Sequence, residues 1–301
     1  MLTRREALAA FGASGLIGPS AFAQSARLRV VATFTILADF ARQVGGDHVA
    51  VVSIVGPNGD VHVYDPSPAD GRKIAAARLV IENGLYLEGW ISRLTSASGT
   101  TARVVIASAG VTPREDISNE EFAGHRGIDP HAWQSVPNAK IYVANIRDGL
   151  IALDAAGRAG YEERAQAYLR KLDALDAEVR AAIDTIPADR RRIVTTHDAF
   201  GYFGLTYGLA FVAPAGVATE AEASARDVAK IIGQIRRDNF PAVFLENVSD
   251  RRLMDQIAKE TGAKIGGTLY SDALSPPDGP AGTYIDMVNH NIRELTKALA
   301  P

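Results

Sequence analysis

The sequence contains no cysteine, which excludes disulfides, thiolate metal sites, a thiol nucleophile and lipid attachment through a Cys. It also lacks a charge excess. Lys and Arg number 32 against 35 Asp and Glu, a formal charge of −3, so there is no basic footprint for tracking phosphates and no nucleic-acid partner is expected. No stretch approaches the ~20 uninterrupted apolar residues of a membrane span. What remains is globular in composition: 301 residues, 47% hydrophobic and 22% charged, enough for one large domain or two ordinary ones. Ligand chemistry must come from the six histidines and the carboxylates.

Residues 1–23 read as an export signal. Arg4 and Arg5 precede a weakly apolar, Ala- and Gly-rich stretch that closes on the small-x-small pattern Ala21-Phe22-Ala23. The adjacent arginines after Thr3, with Leu8 beyond, resemble a twin-arginine signal, although Ala7 stands at its usual aromatic position. Gly12, Gly15, Gly18 and Pro19 argue against a stable amphipathic helix here. The mature chain is therefore expected to be periplasmic, not membrane-spanning, and a monomer.

From Leu28 onward, short β-branched runs alternate with helical patterns, as in βα units with parallel sheets. Strands are expected at Leu28–Thr33, Val49–Val55, Leu79–Glu82 and Arg103–Ala107, with helices near Ile36–Val44, Ala69–Ala77 and Pro137–Leu153. Between Gly157 and Ile186, the residues Tyr161, Ala165, Tyr168, Leu172, Leu175, Val179 and Ile183 recur at helical spacing on one face. Pro187 ends that helix, which at ~1.5 Å per residue is longer than a small domain is wide. It reads as a spine, and a stiff spine predicts a small opening motion. The α/β pattern then restarts, with strands at Arg192–Thr196, Leu209–Val212, Ala242–Glu246 and Lys264–Tyr270 and helices at Ala223–Arg237, Asp250–Thr261 and Gly282–Leu299. The expected organisation is an α/β fold of two parallel-sheet lobes, residues 27–153 and 190–301, joined by one long helix over 157–186. Ligands of open α/β sheets bind outside the carboxyl ends of strands, so those ends would line a shared cleft.

Four segments carry chemistry at such positions: His62 in Gly59-Asp60-Val61-His62, His131 in Asp129-Pro130-His131-Ala132-Trp133, His197 in Thr195-Thr196-His197-Asp198, and Asp272 in Tyr270-Ser271-Asp272-Ala273. The spacing matches neither a zinc finger nor H-E-x-x-H. A single loop histidine is more often a surface residue, and what lifts these three is their recurrence at strand ends. Trp90 and Trp133 read as core residues; Phe200, Tyr202 and Phe203 are expected behind His197; His48, His125 and His290 receive no role. Asp65, Asp129 and Asp198 are candidates for orienting imidazoles, with turn capping the equally weighted alternative. Glu246, at a strand end, would be the base if the site were instead a zinc hydrolase.

On these residues the chain resembles the metal-binding substrate-binding proteins of bacterial ABC transporters, which deliver zinc or manganese to a permease. The matching stretches are His62-Val63-Tyr64 with Pro66-Ser67-Pro68, Glu82-Asn83-Gly84-Leu85 with Leu87-Glu88-Gly89-Trp90, Asp129-Pro130-His131-Ala132-Trp133, His197-Asp198-Ala199-Phe200-Gly201-Tyr202-Phe203 with Tyr207-Gly208-Leu209, and Asp272-Ala273-Leu274 followed by Tyr284 and Asn291. The resemblance implies a non-enzymatic metal carrier with the cargo held between the lobes by His62, His131, His197 and Asp272 and an ABC permease as partner; whether a metallochaperone also loads the site is not written in the sequence. Glu222-Ala223-Ser224 lacks the proline of some relatives, and residues 111–128 form a short acidic loop, with only His125, where zinc-specific relatives often carry a long His-rich one.

Three imidazoles and one carboxylate suit tetrahedral Zn2+, whereas Mn2+ favours more oxygen and a higher coordination number. The third position, often Glu in manganese- and iron-binding relatives, is His197, which tilts the expectation to Zn2+; a bidentate Asp272 keeps Mn2+ open, and a manganese- or iron-binding protein of the same transporter class is the alternative. An organic solute is disfavoured because none of the four segments supplies a basic residue for a carboxylate. Affinity is expected to fall below about pH 6, as imidazoles near their reference pKa protonate.

Overall fold

The computed structural model describes residues 27–115, 127–219, 223–238 and 240–300. The export segment 1–23, His125 and Glu222 lie outside them. β1 (Leu28–Ala32) starts the first lobe with Val30 and Val31 buried, and α1 (Thr35–Gly45) follows at once, its Ile36, Leu37, Phe40, Ala41 and Val44 turned inward. β2 (Val49–Ser53) precedes α2 (Pro68–Ala76), which opens on a capping box: Ser67 Oγ accepts from Asp70 N while Asp70 accepts from Ser67 N, with Pro68 in the first turn. β3 (Leu79–Glu82), α3 (Ile91–Ser98) and β4 (Arg103–Ile106) complete a four-stranded parallel sheet of order β2-β1-β3-β4.

The ends of the acidic loop, β5 (Arg114–Glu115) and β6 (Ile128–Asp129), pair antiparallel. These strands are two residues each, too short to show a periodicity. After α4 (Val136–Leu153) comes α5 (Arg158–Asp184), 27 residues long. Its buried residues are the seven of the helical-spacing face, Tyr161 to Ile183. On its polar flank Arg180 Nε pairs with Asp176 Oδ2 at 2.9 Å, and Tyr207 Oη donates to Asp176 Oδ1.

The second lobe consists of β7 (Arg192–Val194), α6 (Gly201–Tyr207), β8 (Ala210–Val212), α7 (Ala225–Asp238), β9 (Ala242–Glu246), α8 (Arg252–Thr261), β10 (Lys264–Leu269) and α9 (Tyr284–Leu299). Its sheet is again parallel, of order β10-β9-β7-β8. Counted from each lobe's first strand, both sheets read 2-1-3-4, so the lobes repeat one topology without a visible sequence repeat.

The main core runs through both lobes and α5. A smaller cluster, Val194, Ile231, Ile232, Ile235, Phe240, Val243, Met254 and Ile257, lies under α7 and α8. The chain's end adds a second tie that the helical spine alone did not suggest. Leading into α9, Leu274 N donates to Thr35 Oγ1 at 2.8 Å, and Tyr284 N donates to Asp39 Oδ2 at 3.0 Å. Both bonds join the last segment to α1. Among the described residues no helix is long and apolar enough to cross a membrane.

Candidate metal centre

Each of the four ligand segments is fixed before its side chain reaches the cleft. His62 follows β2 through a turn in which Asn58 adopts φ 55°. Asp60 Oδ1 accepts from His62 N at 2.9 Å, and Trp90 Nε1 donates to Val61 O at 2.9 Å, so the buried tryptophan braces the loop from behind. His131 leaves β6 through Pro130 into a single helical turn. Asp129 Oδ1 accepts from His131 N at 2.9 Å and stands 2.8 Å from its Nδ1. The Glu82–Trp90 segment holds this turn as well: Asn83 Nδ2 donates to Pro130 O at 3.0 Å, and Tyr142 Oη donates to Asn83 Oδ1. Burial pushes the Glu88 carboxyl up to about 7, against the hydrogen bonds it accepts from Thr33 Oγ1 and Asn83 N, both at 2.6 Å.

His197 sits three residues beyond β7, and its support comes from the neighbouring strand. Glu246, the last residue of β9, accepts from the N–H groups of Thr196 and His197 through Oε1 at 2.7 and 2.9 Å, while its Oε2 stands 2.6 Å from His197 Nδ1. Asp272 lies three residues beyond β10. Ser271 O accepts from Trp133 Nε1 and Gln134 Nε2, and the Asn291 side chain holds both N and O of Tyr270 at 2.8 Å.

These loops converge. His62, His131, His197 and Asp272 are all buried, and one ligand atom from each lies within 4.8 Å of the others. His62 Nε2 and His131 Nε2 are 3.2 Å apart; Asp272 Oδ2 is 3.5 Å from His62 Nε2 and 3.1 Å from His197 Nε2; Asp272 Oδ1 is 3.5 Å from His131 Nε2. A tetrahedron with metal–ligand bonds of ~2.0–2.2 Å has edges of about 3.3–3.6 Å, close to these separations. Both Asp272 oxygens are buried and face only imidazole nitrogens, an arrangement that costs free energy unless a cation or proton compensates it. A cavity of about 590 Å³, lined in part by Asp60, Thr196, Thr219 and Asp250, opens beside His197.

The charges are strongly coupled. Burial opposes the Asp272 anion, yet the positive charges of His197 and His131 hold its carboxyl well below the usual range. Burial likewise opposes a charged His197, but Glu246 and Asp272 outweigh it and push this imidazole well above 6.5. Without metal, these two carboxylates favour the protonated imidazole of His197, and an arriving cation competes with that proton.

Of the three carboxylates weighed as imidazole partners, Asp129 contacts His131. Asp198 instead lies 3.6 Å from the Arg114 guanidinium, and Asp65 is exposed. Glu246 is not placed as a hydrolytic base, since His197 and two backbone N–H groups engage its oxygens. Its orienting role was missed because sequence spacing gives no hint that β9 lies beside β7. Trp90, Trp133, Phe200, Tyr202 and Phe203 are buried. His290 Nε2 contacts Thr268 O, away from the cleft ligands.

The model of the ZnuA family, described as zinc-uptake complex component A, periplasmic, matches residues 30–298. The chain is 37% identical over 290 residues to the iron-binding protein YfeA of Yersinia pestis, covering 94% of this chain and 92% of that one. It is 32% identical to the manganese-binding lipoprotein MntA of Halalkalibacterium halodurans, over 91% and 89% of the two chains. The solved structure of the periplasmic zinc-binding protein TroA from Treponema pallidum superposes with a TM-score of 0.86 at 32% identity, over 92% of this chain and all of that one. With a matched family model over nearly its whole length and that family's two-lobed fold, the chain belongs to the ZnuA family of metal-binding, ABC-transporter substrate-binding proteins, which carry solutes and are not enzymes.

Proposed function

We propose that this chain captures Zn2+ in the periplasm and hands it to an ABC permease, with His62, His131, His197 and Asp272 as the ligands. The observation that carries the reading is the convergence of three imidazole nitrogens and one carboxylate at separations of 3.1–3.5 Å in a buried cleft. Those separations suit a small tetrahedral ion, and the nitrogen-rich set suits zinc over harder cations. The outer carboxylates fit the same chemistry: an imidazole whose Nδ1 faces Asp129 or Glu246 presents Nε2 to the ion. Export through the twin-arginine-like segment 1–23, docking to the permease through both lobes and a monomeric state complete the proposal.

Manganese is the second reading, and one observation favours it. Both oxygens of Asp272 face the imidazoles, so bidentate coordination would raise the ligand count towards the number that Mn2+ prefers. Calorimetric titration of the metal-free chain with Zn2+ and with Mn2+, repeated on His62→Ala, His131→Ala, His197→Ala and Asp272→Ala, tests both. Tight Zn2+ binding lost in each folded variant is the expected outcome. Tighter Mn2+ than Zn2+ binding would replace the cargo, and variants that bind as the parent does would overturn the ligand set.

A further inference from the structure

Arg114 joins the supports of two ligands that come from different halves of the chain. Its backbone N–H donates to Tyr202 Oη on α6 at 2.8 Å. Its Nη1 donates to Asp129 Oδ2 at 2.6 Å and stands 3.6 Å from Asp198 Oδ2. Asp129 is fully buried and turns its other oxygen to His131 N and Nδ1, while Asp198 directly follows His197. The fold makes room for this contact at the first residue of α6. A methyl group on Gly201 would collide with Nη1, Cζ and Nε of Arg114, so glycine there leaves space for the guanidinium.

The charge count points the same way. Asp129, Glu246 and Asp272 are nearly or fully buried and bring three negative charges as carboxylates, of which a divalent cation offsets two. One anion would remain in a low-dielectric site, at considerable cost. Arg114 sets a positive charge against buried Asp129 and partly exposed Asp198, and its planar fork can engage two carboxylates where an ammonium holds one well.

We propose that Arg114 is a positioning residue for metal capture: it fixes Asp129, and through it the His131 ring, and ties the His197 segment to the same point. The inference rests on the ligand set proposed above. Removing the guanidinium should loosen bound metal, chiefly by speeding release.

The test compares the full chain with Arg114→Met, Arg114→Lys and Gly201→Ala. The readouts are Zn2+ affinity by chelator competition, Zn2+ release by stopped flow, and the visible spectrum of the Co2+-loaded protein. Arg114→Met is expected to weaken Zn2+ binding about 10- to 100-fold, the usual cost of losing an outer-shell support, with faster release and a shifted Co2+ band. Arg114→Lys should recover part of the loss. Gly201→Ala, which keeps the charge but displaces the guanidinium, should weaken binding in the same direction. Parent-like affinity, release and Co2+ spectrum in Arg114→Met would overturn the inference alone, whereas a parent chain that binds neither Zn2+ nor Co2+ would overturn the ligand set and the inference with it. If Arg114→Met does not fold, unchanged values in both other variants overturn it.

Discussion

The two lobes repeat one strand order, yet they brace their histidines differently. In the first half the carboxylate behind His131 is Asp129, two residues away in sequence, and Arg114 offsets its charge. In the second half the carboxylate behind His197 is Glu246, 49 residues away on the adjacent strand, and among the described residues no guanidinium or ammonium pairs with it. Glu246 and Asp272 accordingly push the His197 imidazole towards its protonated form. Sheets of the same strand order thus carry one support set locally by the backbone and another by sheet adjacency, and in the second the carboxylates favour the protonated His197 with which a cation competes.

The largest effects should come from the ligands themselves. Asp272→Asn removes the one anionic ligand, and His197→Ala removes the imidazole that shares its proton with that anion. Each is expected to cost more than about a hundredfold in Zn2+ affinity, beyond the cost of losing an outer-shell group, while circular dichroism stays native. If His62→Ala or His131→Ala left binding tight, the first half would be support and the second half alone the site.

Next in size is a direct comparison of the two supports. Asp129→Asn and Glu246→Gln should each weaken Zn2+ by about 10- to 100-fold, but only Glu246→Gln should also move the pH dependence of binding to lower pH, because it removes a charge that raises His197. Parallel pH profiles for the two variants would erase the distinction between the halves.

A smaller, continuous effect follows from the protonated His197. A cation must displace that proton, so Zn2+ affinity should rise about tenfold per pH unit across neutral pH until the raised His197 pKa is passed. This places the onset above the pH 6 expected from reference imidazoles. The metal-free fold responds in the opposite sense. A histidine raised in the folded state contributes stability that is fully present below about pH 6.5 and is lost as pH rises through the folded value. Calorimetry in buffers of different ionisation enthalpy should count close to one proton released per Zn2+ at pH 7. Zero protons released would mean that the imidazole is neutral before metal arrives.

Much of this was legible in the sequence for a physical reason: periodicity and strand ends are local properties. The buried face of α5 follows from helical spacing alone, since a long amphipathic helix must turn its apolar stripe inward. Three of the four candidate ligands follow closely on β6, β7 and β10, and His62 comes at the end of a longer loop after β2; sheet topology gathers such strand ends. The supports were less accessible. Glu246 reaches His197 only because β9 lies beside β7, and Arg114 reaches Asp129 from a two-residue strand with no pattern to detect. The short helices α3 and α6 escaped similarly. α3 follows Leu85 and Tyr86 at φ 52° and 64°, left-handed conformations that residue type does not announce, and α6 spans only seven residues.

The smallest expected change is in overall shape, and it again separates the halves. Wide opening would have to break bonds that cross the cleft's floor: Trp133 Nε1 and Gln134 Nε2 to Ser271 O, Leu274 N to Thr35 Oγ1, and Tyr284 N to Asp39 Oδ2, all buried. Each group left unpaired in the interior costs about 1–3 kcal/mol, and α5 and α9 would also have to part from the shared core. Nearer His197 the contacts among the described residues run through loops. Thr219 Oγ1 donates to Asp60 Oδ2 at 2.7 Å across the lobes, whereas Asp198 N donates to Gly216 O at 3.1 Å within the second lobe. Release by movement of the second-half loops is therefore cheaper than hinge opening. The radius of gyration, about 19 Å for a folded chain of this length, should change by less than about 1 Å on Zn2+ addition in solution scattering. Hydrogen exchange should slow at residues 195–200 and 213–219 on metal binding, with α5 unchanged. A contraction of several ångströms would show instead that the floor opens and that both halves move.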